Sequence, residues 1–384
     1  MDDQPSNPSS DEGADRSRQE QAREYESIHN RLFVVRIALT VLLLVLYLFT
    51  GLSAQLTEGL ENRFGDAWWM VNTLYILVTL FIFSAIMFPI SLYGDYHIER
   101  RYGLSKQGMN SWFADYLKGL ALELTLMTLF LSVIYALLRW YPDIWWIWAT
   151  AVYVLLSVVL SSVAPVLIMP LFHKFEPLED SELTQAVRDF AERAGLRVIG
   201  VFKWGLEEKT ETANAALAGL GRTRRIILGD TMLGDYSRDE ILSVLAHEVG
   251  HYKNRDMSRL LVVSTVLAAL GFYAAHLVLR VLADYFGFAG VQDIGAFPIF
   301  IFSLFVFSLI AMPLANTYSR VREYAADAYA VRAVGTAEPL VGALEKLADQ
   351  NLADRQPPAW IEFLLHSHPS ISRRIDRAKR VLGN

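Results

Sequence analysis

Six long apolar runs, over residues 32–52, 67–93, 119–138, 144–172, 260–285 and 297–318, constrain this chain more than anything else in it. A helix needs about 20 mostly apolar residues to cross the hydrocarbon core of a bilayer, and each run is long enough. The runs are apolar on every face, which helices packed into a soluble core seldom are. Trp68, Trp69, Trp140, Tyr141, Trp145 and Trp146 gather at run ends, where amphipathic rings anchor a span at the interface. The expectation is a mainly α, polytopic membrane protein.

Charge orients the spans. Basic residues precede the first run (Arg16, Arg18, Arg23, Arg31) and fill the link from the second to the third (Arg100, Arg101, Lys106, Lys118). The alternate links are poor in them, whereas residues 174–259 and the tail after Arg320 are rich. All basic segments share one side if both termini are cytoplasmic. Residues 1–30 carry eight acids against three arginines, so this stretch holds −5 of the net −6 and leaves the rest close to neutral. No basic surface points to nucleic acid. The segment reads as a disordered acidic tail, with no basic region leading into an apolar one as a secretory signal has. The division expected is therefore 1–30 as tail, 31–172 as a four-span region, and 173–384 as a region holding two further spans. Arg36 and Glu123 fall inside runs; Arg36 is expected to snorkel or pair, and Glu123 stays open between pairing and function.

Between the fourth and fifth runs the pattern changes. Residues 181–195 place Leu183, Ala186, Val187, Phe190 and Ala191 on one helical face. Residues 196–204 alternate like a strand, and 212–219 and 224–228 read as strands around a Gly219/Gly221 turn. Ser237-Arg238-Asp239-Glu240 then forms a capping box that opens a helix running into His247-Glu248-Val249-Gly250-His251. Histidines four apart lie one above the other on a helix and can grip one zinc ion, with Glu248 beside them to take a proton from water. Gly250 costs about 1 kcal/mol against alanine in a helix, which suggests close approach of a substrate or another helix. The chain has no cysteine, so any zinc is held by nitrogen and oxygen. Glu323 and Asp327, at i and i+4 on the helical continuation of the sixth run, can supply a third ligand and a partner for a ligand histidine.

At these residues the chain resembles the integral-membrane CAAX prenyl protease type 1 family of zinc metallopeptidases, over about residues 32–383. The resemblance implies Zn2+ held by His247, His251 and the glutamate of the Glu-Tyr-x-Ala-Asp element, Glu323. It implies Glu248 as general base and Asp327 as the residue orienting a zinc histidine. His368-Pro369 followed by Arg374 is similar to the family's His-Pro element, whose implied roles are steadying the oxyanion and contacting substrate; His366, two positions earlier, is the alternative histidine. Asn214-Ala215 matches the edge on which family members pair substrate backbone. Segments 91–93, 99–103 and 170–178 match more weakly. The family has seven spans around a chamber; this chain shows six, its first run matching the family's second. The architecture implied is a six-span helical cage with a small α+β zincin-like catalytic region on the cytoplasmic side. The expected activity is a zinc-dependent membrane endopeptidase acting on peptide or protein substrates, prenylated or membrane-associated, in CAAX-type processing or membrane protein quality control. A bacterial inner membrane is the expected location. Two alternatives are a heat-shock-type membrane zinc protease and a transporter or scaffold with structural zinc. His29, His97, His173 and His276 are expected to be ordinary structural histidines.

Overall fold

A computed structural model describes residues 8–179, 181–219 and 224–383. Its first half is a set of long helices: α1 (Pro8–Phe49), α2 (Leu52–Phe64), α3 (Trp68–Ser91), a π-helical turn over Leu92–Ile98 leading to α4 (Glu99–Arg101), α5 (Met109–Trp140) and α6 (Trp145–Val163). A short strand β1 (Phe175–Pro177) and α7 (Glu182–Arg193) follow, then β2 (Val201–Trp204), β3 (Ala215–Ala218), β4 (Arg225–Gly229) and α8 (Asp230–Asp235). The chain then alternates between catalytic region and membrane through α9 (Arg238–Lys253), α10 (Asp256–Tyr285) and α11 (Phe297–Val334). It ends with α12 (Glu338–Gln350), α13 (Ala359–Leu365) and α14 (Ile371–Arg380).

Six helical stretches among the described residues are long and apolar enough to cross a membrane: Arg16–Phe49, Trp68–Arg101, Met109–Trp140, Trp145–Leu171, Asp256–Tyr285 and Ile294–Val334. Each coincides with one of the six runs. The helix α2 between the first two was not anticipated; at 13 residues it is too short to cross, and Ser53 on it donates to the Gly295 carbonyl at 2.6 Å. The spans pack around a core built on Tyr75, Ile134, Tyr135, Trp145 and Phe300, in which the Trp145 indole donates to His276 Nδ1 at 3.2 Å. That bond gives His276 the structural place expected of it. Arg36 pairs with Asp95 at 3.2 Å, as expected of a charge near a span end. Glu123 lines, with Arg36 and Tyr116, a cavity of about 500 Å³ among α1, α3 and α5.

The expected disordered tail is not what the structure shows over the part it describes. Residues 1–7 lie outside the described residues, but α1 is helical from Pro8 and continues unbroken into the first span. The physical reason is docking. Ala22 is fully buried beside Leu104 and Leu352, Tyr25 donates to Glu99 at 2.6 Å, and Glu26 accepts from the Asp354 backbone at 2.8 Å. Arg18 reaches the Asp349 carbonyl at 2.8 Å. Charge composition reports average solvation and cannot register that one face of this segment meets the far end of the chain.

The small sheet has the order β1-β2-β4-β3, with β2 and β4 parallel and the outer pairs antiparallel. Of the expected strand over 196–204 only Val201–Trp204 forms; the Gly219 end of the expected turn has φ +88°, and Gly221 lies outside the described residues. Register puts Ala215 opposite Leu228 and Ala218 opposite Arg225, so β3 is an edge whose other side carries no strand among the described residues. A second core joins this sheet to α7, α9 and α12 through Val187, Ile226, Leu228, Leu245, Val249 and Leu344.

Candidate metal centre

Ser237 starts α9 with the full capping box: its side chain accepts from Glu240 N while Glu240 accepts from Ser237 N. With the helix start set, His247, Glu248 and His251 fall on a face turned toward α11. Gly250 explains how closely the two helices meet, because a Cβ there would stand 2.9 Å from Ala326 Cα and 3.0 Å from its carbonyl oxygen. Of the two readings left open for this glycine, helix contact is the one observed. α11 runs without a break from the sixth span to Val334, so Glu323 and Asp327 reach the site at the end of a membrane helix.

His247, His251 and Glu323 bring one ligand atom each within 4.8 Å of one another. The two Nε2 atoms are 3.1 Å apart, Glu323 Oε1 is 3.3 Å from His251 Nε2, and Glu323 Oε2 is 3.5 Å from His247 Nε2. An ion held at about 2.0–2.1 Å by tetrahedrally placed ligands would separate them by about 3.3–3.4 Å, so the spacing fits a metal of that size. The hydrogen bonding makes the same point. His247 Nδ1 lies 2.9 Å from Asp327 Oδ1, and His251 Nδ1 lies 2.9 Å from Asp256 Oδ2. Ionised carboxylates only accept, so both Nδ1 atoms donate and both Nε2 lone pairs are left facing each other. Glu323, 5% exposed, turns its carboxylate to the same point. Three atoms with lone pairs thus converge on one point, at a spacing that a cation fits.

Protons are the competitor. Burial works against charge on His247, but the Asp327 hydrogen bond and the Glu323 carboxylate outweigh it and hold its pKa up to about 9. His251 is half-buried; burial works against its charge too, and Glu323 and Asp256 outweigh it and raise its pKa. Both shifts express the demand of this site for positive charge.

Glu248 lines a cavity of about 520 Å³ together with His251, Glu323, Arg224 and Leu217 and Gly219 at the end of β3. The edge strand therefore runs into the same space as the candidate metal site. Asn214 immediately precedes that strand; its carbonyl accepts from Gly229 N at 2.9 Å, and Ala215 begins the free edge. His368 Nδ1 is 3.1 Å from Glu323 Oε2, with 64% of its side chain exposed. The backbone carbonyl of His366, with that of Glu362, accepts from Arg320 at 2.6 and 2.8 Å. Of the two histidines, His368 is the one in contact with Glu323. Arg374 stands differently from the substrate contact expected of it. Its side chain is 11% exposed, and Nε and Nη2 grip the two oxygens of Asp327 at 2.9 and 2.7 Å.

Two residues here escaped sequence reading, Asp256 and Arg322. Asp256 is the first residue of α10, and its two oxygens accept from His251 Nδ1 and from Arg322 Nε, the latter at 2.6 Å. An acid five positions after the second histidine was the only sequence signal, and helical periodicity does not carry across the turn that separates them.

A family model described as "Peptidase family M48" matches residues 177–382, and one described as "CAAX prenyl protease N-terminal, five membrane helices" matches residues 7–174. The chain belongs to peptidase family M48. Among curated proteins similar to this M48 chain, an "Uncharacterized metalloprotease YhfN" of Bacillus subtilis is 29% identical over 94% of this chain and 85% of its own length. "CAAX prenyl protease 1" of Saccharomyces cerevisiae is 30% identical over 75% of this chain and 67% of its own. The crystal structure of S. mikatae Ste24p has the same fold, with a TM-score of 0.81 and 23% identity over 94% of this chain and 88% of that one. This M48 chain is a multi-pass membrane metallopeptidase of the CAAX prenyl protease type, and the His247/His251/Glu323 centre lies within its matched peptidase segment.

Proposed function

We propose that this metallopeptidase is a zinc endopeptidase in which His247, His251 and Glu323 hold the ion and Glu248 is the general base. The observation that carries the reading is the convergence of three donor atoms, from two helices far apart in sequence, beside Glu248 and a free strand edge. Three protein ligands of N and O type are the donor set of a catalytic zinc site with an open position, whereas a structural site is closed by a fourth. When bound, zinc acidifies water and polarises a carbonyl oxygen.

The chain's own residues do the rest. The edge of β3, from Asn214 and Ala215 onward, holds the substrate backbone extended by strand addition. Glu248 takes the proton of the attacking water and returns it to the leaving amine. His368, largely exposed, donates to the developing oxyanion. Asp327 keeps the Nδ1 proton on His247, and Arg374 holds Asp327 in place. Substrates are peptides or proteins presented at the cytoplasmic face of the bilayer, with both termini on that side and a bacterial inner membrane as the location. Prenylated chain ends are the finer assignment, supported by the name of the yeast relative and by the apolar cavity of about 420 Å³, between α6 and α10, that shares Met257, Ser258 and Leu260 with the metal-site cavity.

The deciding test is Glu248→Gln in the purified, zinc-loaded full chain. Metal content is expected to be unchanged while cleavage of an unstructured or prenylated peptide reporter is lost. Cleavage at the parent rate sinks the assignment.

A further inference from the structure

The two metal histidines are backed by two similar relays, and only one of them has been given a purpose so far. On the His247 side, Arg374 grips Asp327, which accepts from His247 Nδ1. On the His251 side, Arg322 grips Asp256, which accepts from His251 Nδ1. Resting on the metal-site reading above, we propose that Asp256, held by Arg322, is the positioning residue for His251, and that this relay ties the grip on the metal to spans α10 and α11.

The case begins at the turn between α9 and α10. α9 ends at Lys253, and Arg255 adopts the left-handed conformation (φ 55°, ψ 38°), which is strained for a residue with a Cβ. That single left-handed step reverses the chain so that the next side chain points back at the face of α9 bearing His251. Asp256 is 2% exposed, and neither of its oxygens is left to solvent: Oδ2 takes the imidazole proton at 2.9 Å and Oδ1 takes Arg322 Nε at 2.6 Å. A carboxylate buried so deeply needs a hydrogen-bond partner for each oxygen, and here it has both. Accepting from Nδ1 fixes the tautomer and the ring plane, which directs the Nε2 lone pair at the centre.

Arg322 gives the relay its second consequence. It immediately precedes Glu323 on α11, so the residue that pins Asp256 and the residue that supplies the third ligand move as one. His251 on α9, Asp256 at the head of α10, and Arg322 with Glu323 on α11 form a closed ring of contacts. The His247 relay also reaches α11, through Asp327, but its arginine arrives from α14 and it contains no residue of α10. Displacement of α10 against α11 within the bilayer would therefore turn His251 before it turned His247.

The test measures metal binding, not only turnover. The detergent-solubilised full chain is titrated with Co2+ and with Zn2+ in competition with a chromophoric chelator, for the parent, Asp256→Ala, Asp256→Asn, and the double variant Asp256→Ala/Arg322→Ala. Loss of an outer partner of a metal histidine weakens binding about 10- to 100-fold, so Asp256→Ala is expected to fall in that range with an altered Co2+ absorption spectrum. Asn keeps an acceptor for Nδ1 and is expected to recover part of the loss. The double variant leaves no unpaired buried cation; it folds if Asp256→Ala alone does not, and it must still bind weakly. A double variant that binds with the parent's affinity and spectrum overturns the proposal, because it shows Asp256 and Arg322 to be a structural ion pair only. A parent that binds neither ion overturns the metal-site reading itself, and the two failures are thereby distinguished.

Discussion

Along α6 the most apolar window has none of its residues buried within the protein, and Leu155 and Val159 are turned outward. In the crevice between α9 and α11, by contrast, His247, Glu323, Asp327 and Asp256 are all buried, and each touches a charged or hydrogen-bonding partner. Both regions are helical, and α11 shows both characters in one helix: its first half is apolar and its last turns carry Arg320, Arg322, Glu323 and Asp327. What differs is the surroundings. Lipid tails are as apolar as leucine, so the outward faces of the cage need only be long and greasy. The crevice buries carboxylates that lipid cannot satisfy, so each of them meets another polar side chain.

The contrast can be broken from either end. Removing Glu323 carries the largest expected effect: Glu323→Ala deletes a ligand and should lower metal affinity by more than about 100-fold, since outer partners alone are worth 10- to 100-fold. Metal content after dialysis checks this, and an unchanged content would mean that the crevice is not a metal site.

Acid should act on the crevice and leave the cage alone. His247 holds its proton up to about 9 in the metal-free chain. Below that value metal uptake must displace the proton, so apparent affinity should fall about tenfold for each pH unit. The metal-free fold runs the opposite way. Its His247 pKa lies above the ordinary 6.5, so the stabilisation from that proton is complete below about 6.5 and is lost as pH rises through about 9. The gap in Tm between metal-loaded and chelated protein should widen from pH 6 to pH 9; a constant gap would detach His247 from the metal.

Gly250→Ala comes next. Alanine is the better helix former by about 1 kcal/mol, but its Cβ would meet the α11 backbone at 2.9 Å, and overpacking of that kind costs about 1–3 kcal/mol. A net loss of stability with weaker metal binding is expected from denaturation and metal titration, whereas a stabilised variant would show that the α9–α11 contact has slack. The smallest effect belongs to the lipid face. Leu155→Ala, at a side chain 65% exposed on α6, should change stability by no more than about 0.5 kcal/mol in a detergent unfolding assay. A large loss there would mean that a protein surface, and not lipid, covers α6.

Much of this was written in the chain. Apolar run length located all six spans, because crossing a bilayer sets a minimum number of residues whatever their neighbours. The capping box and the His-x-x-x-His spacing located the metal helix, because both are properties of one helix. The third ligand was proposed from the i,i+4 spacing of Glu323 and Asp327, and its convergence with the histidines appears only in three dimensions. Asp256, Arg322 and the docking of residues 16–26 went unseen for one reason: each depends on a partner beyond the reach of local periodicity.

Sequence by itself therefore determined which segments enter the membrane and which side chains can bind metal, since solvent transfer and helical geometry act locally. Tertiary structure alone decided that Arg374 turns inward to Asp327, that His368 meets Glu323, and that a left-handed Arg255 brings Asp256 back to His251. The physical reason is that a buried charge is stable only where another element of the chain arrives to meet it, and that meeting is a property of packing.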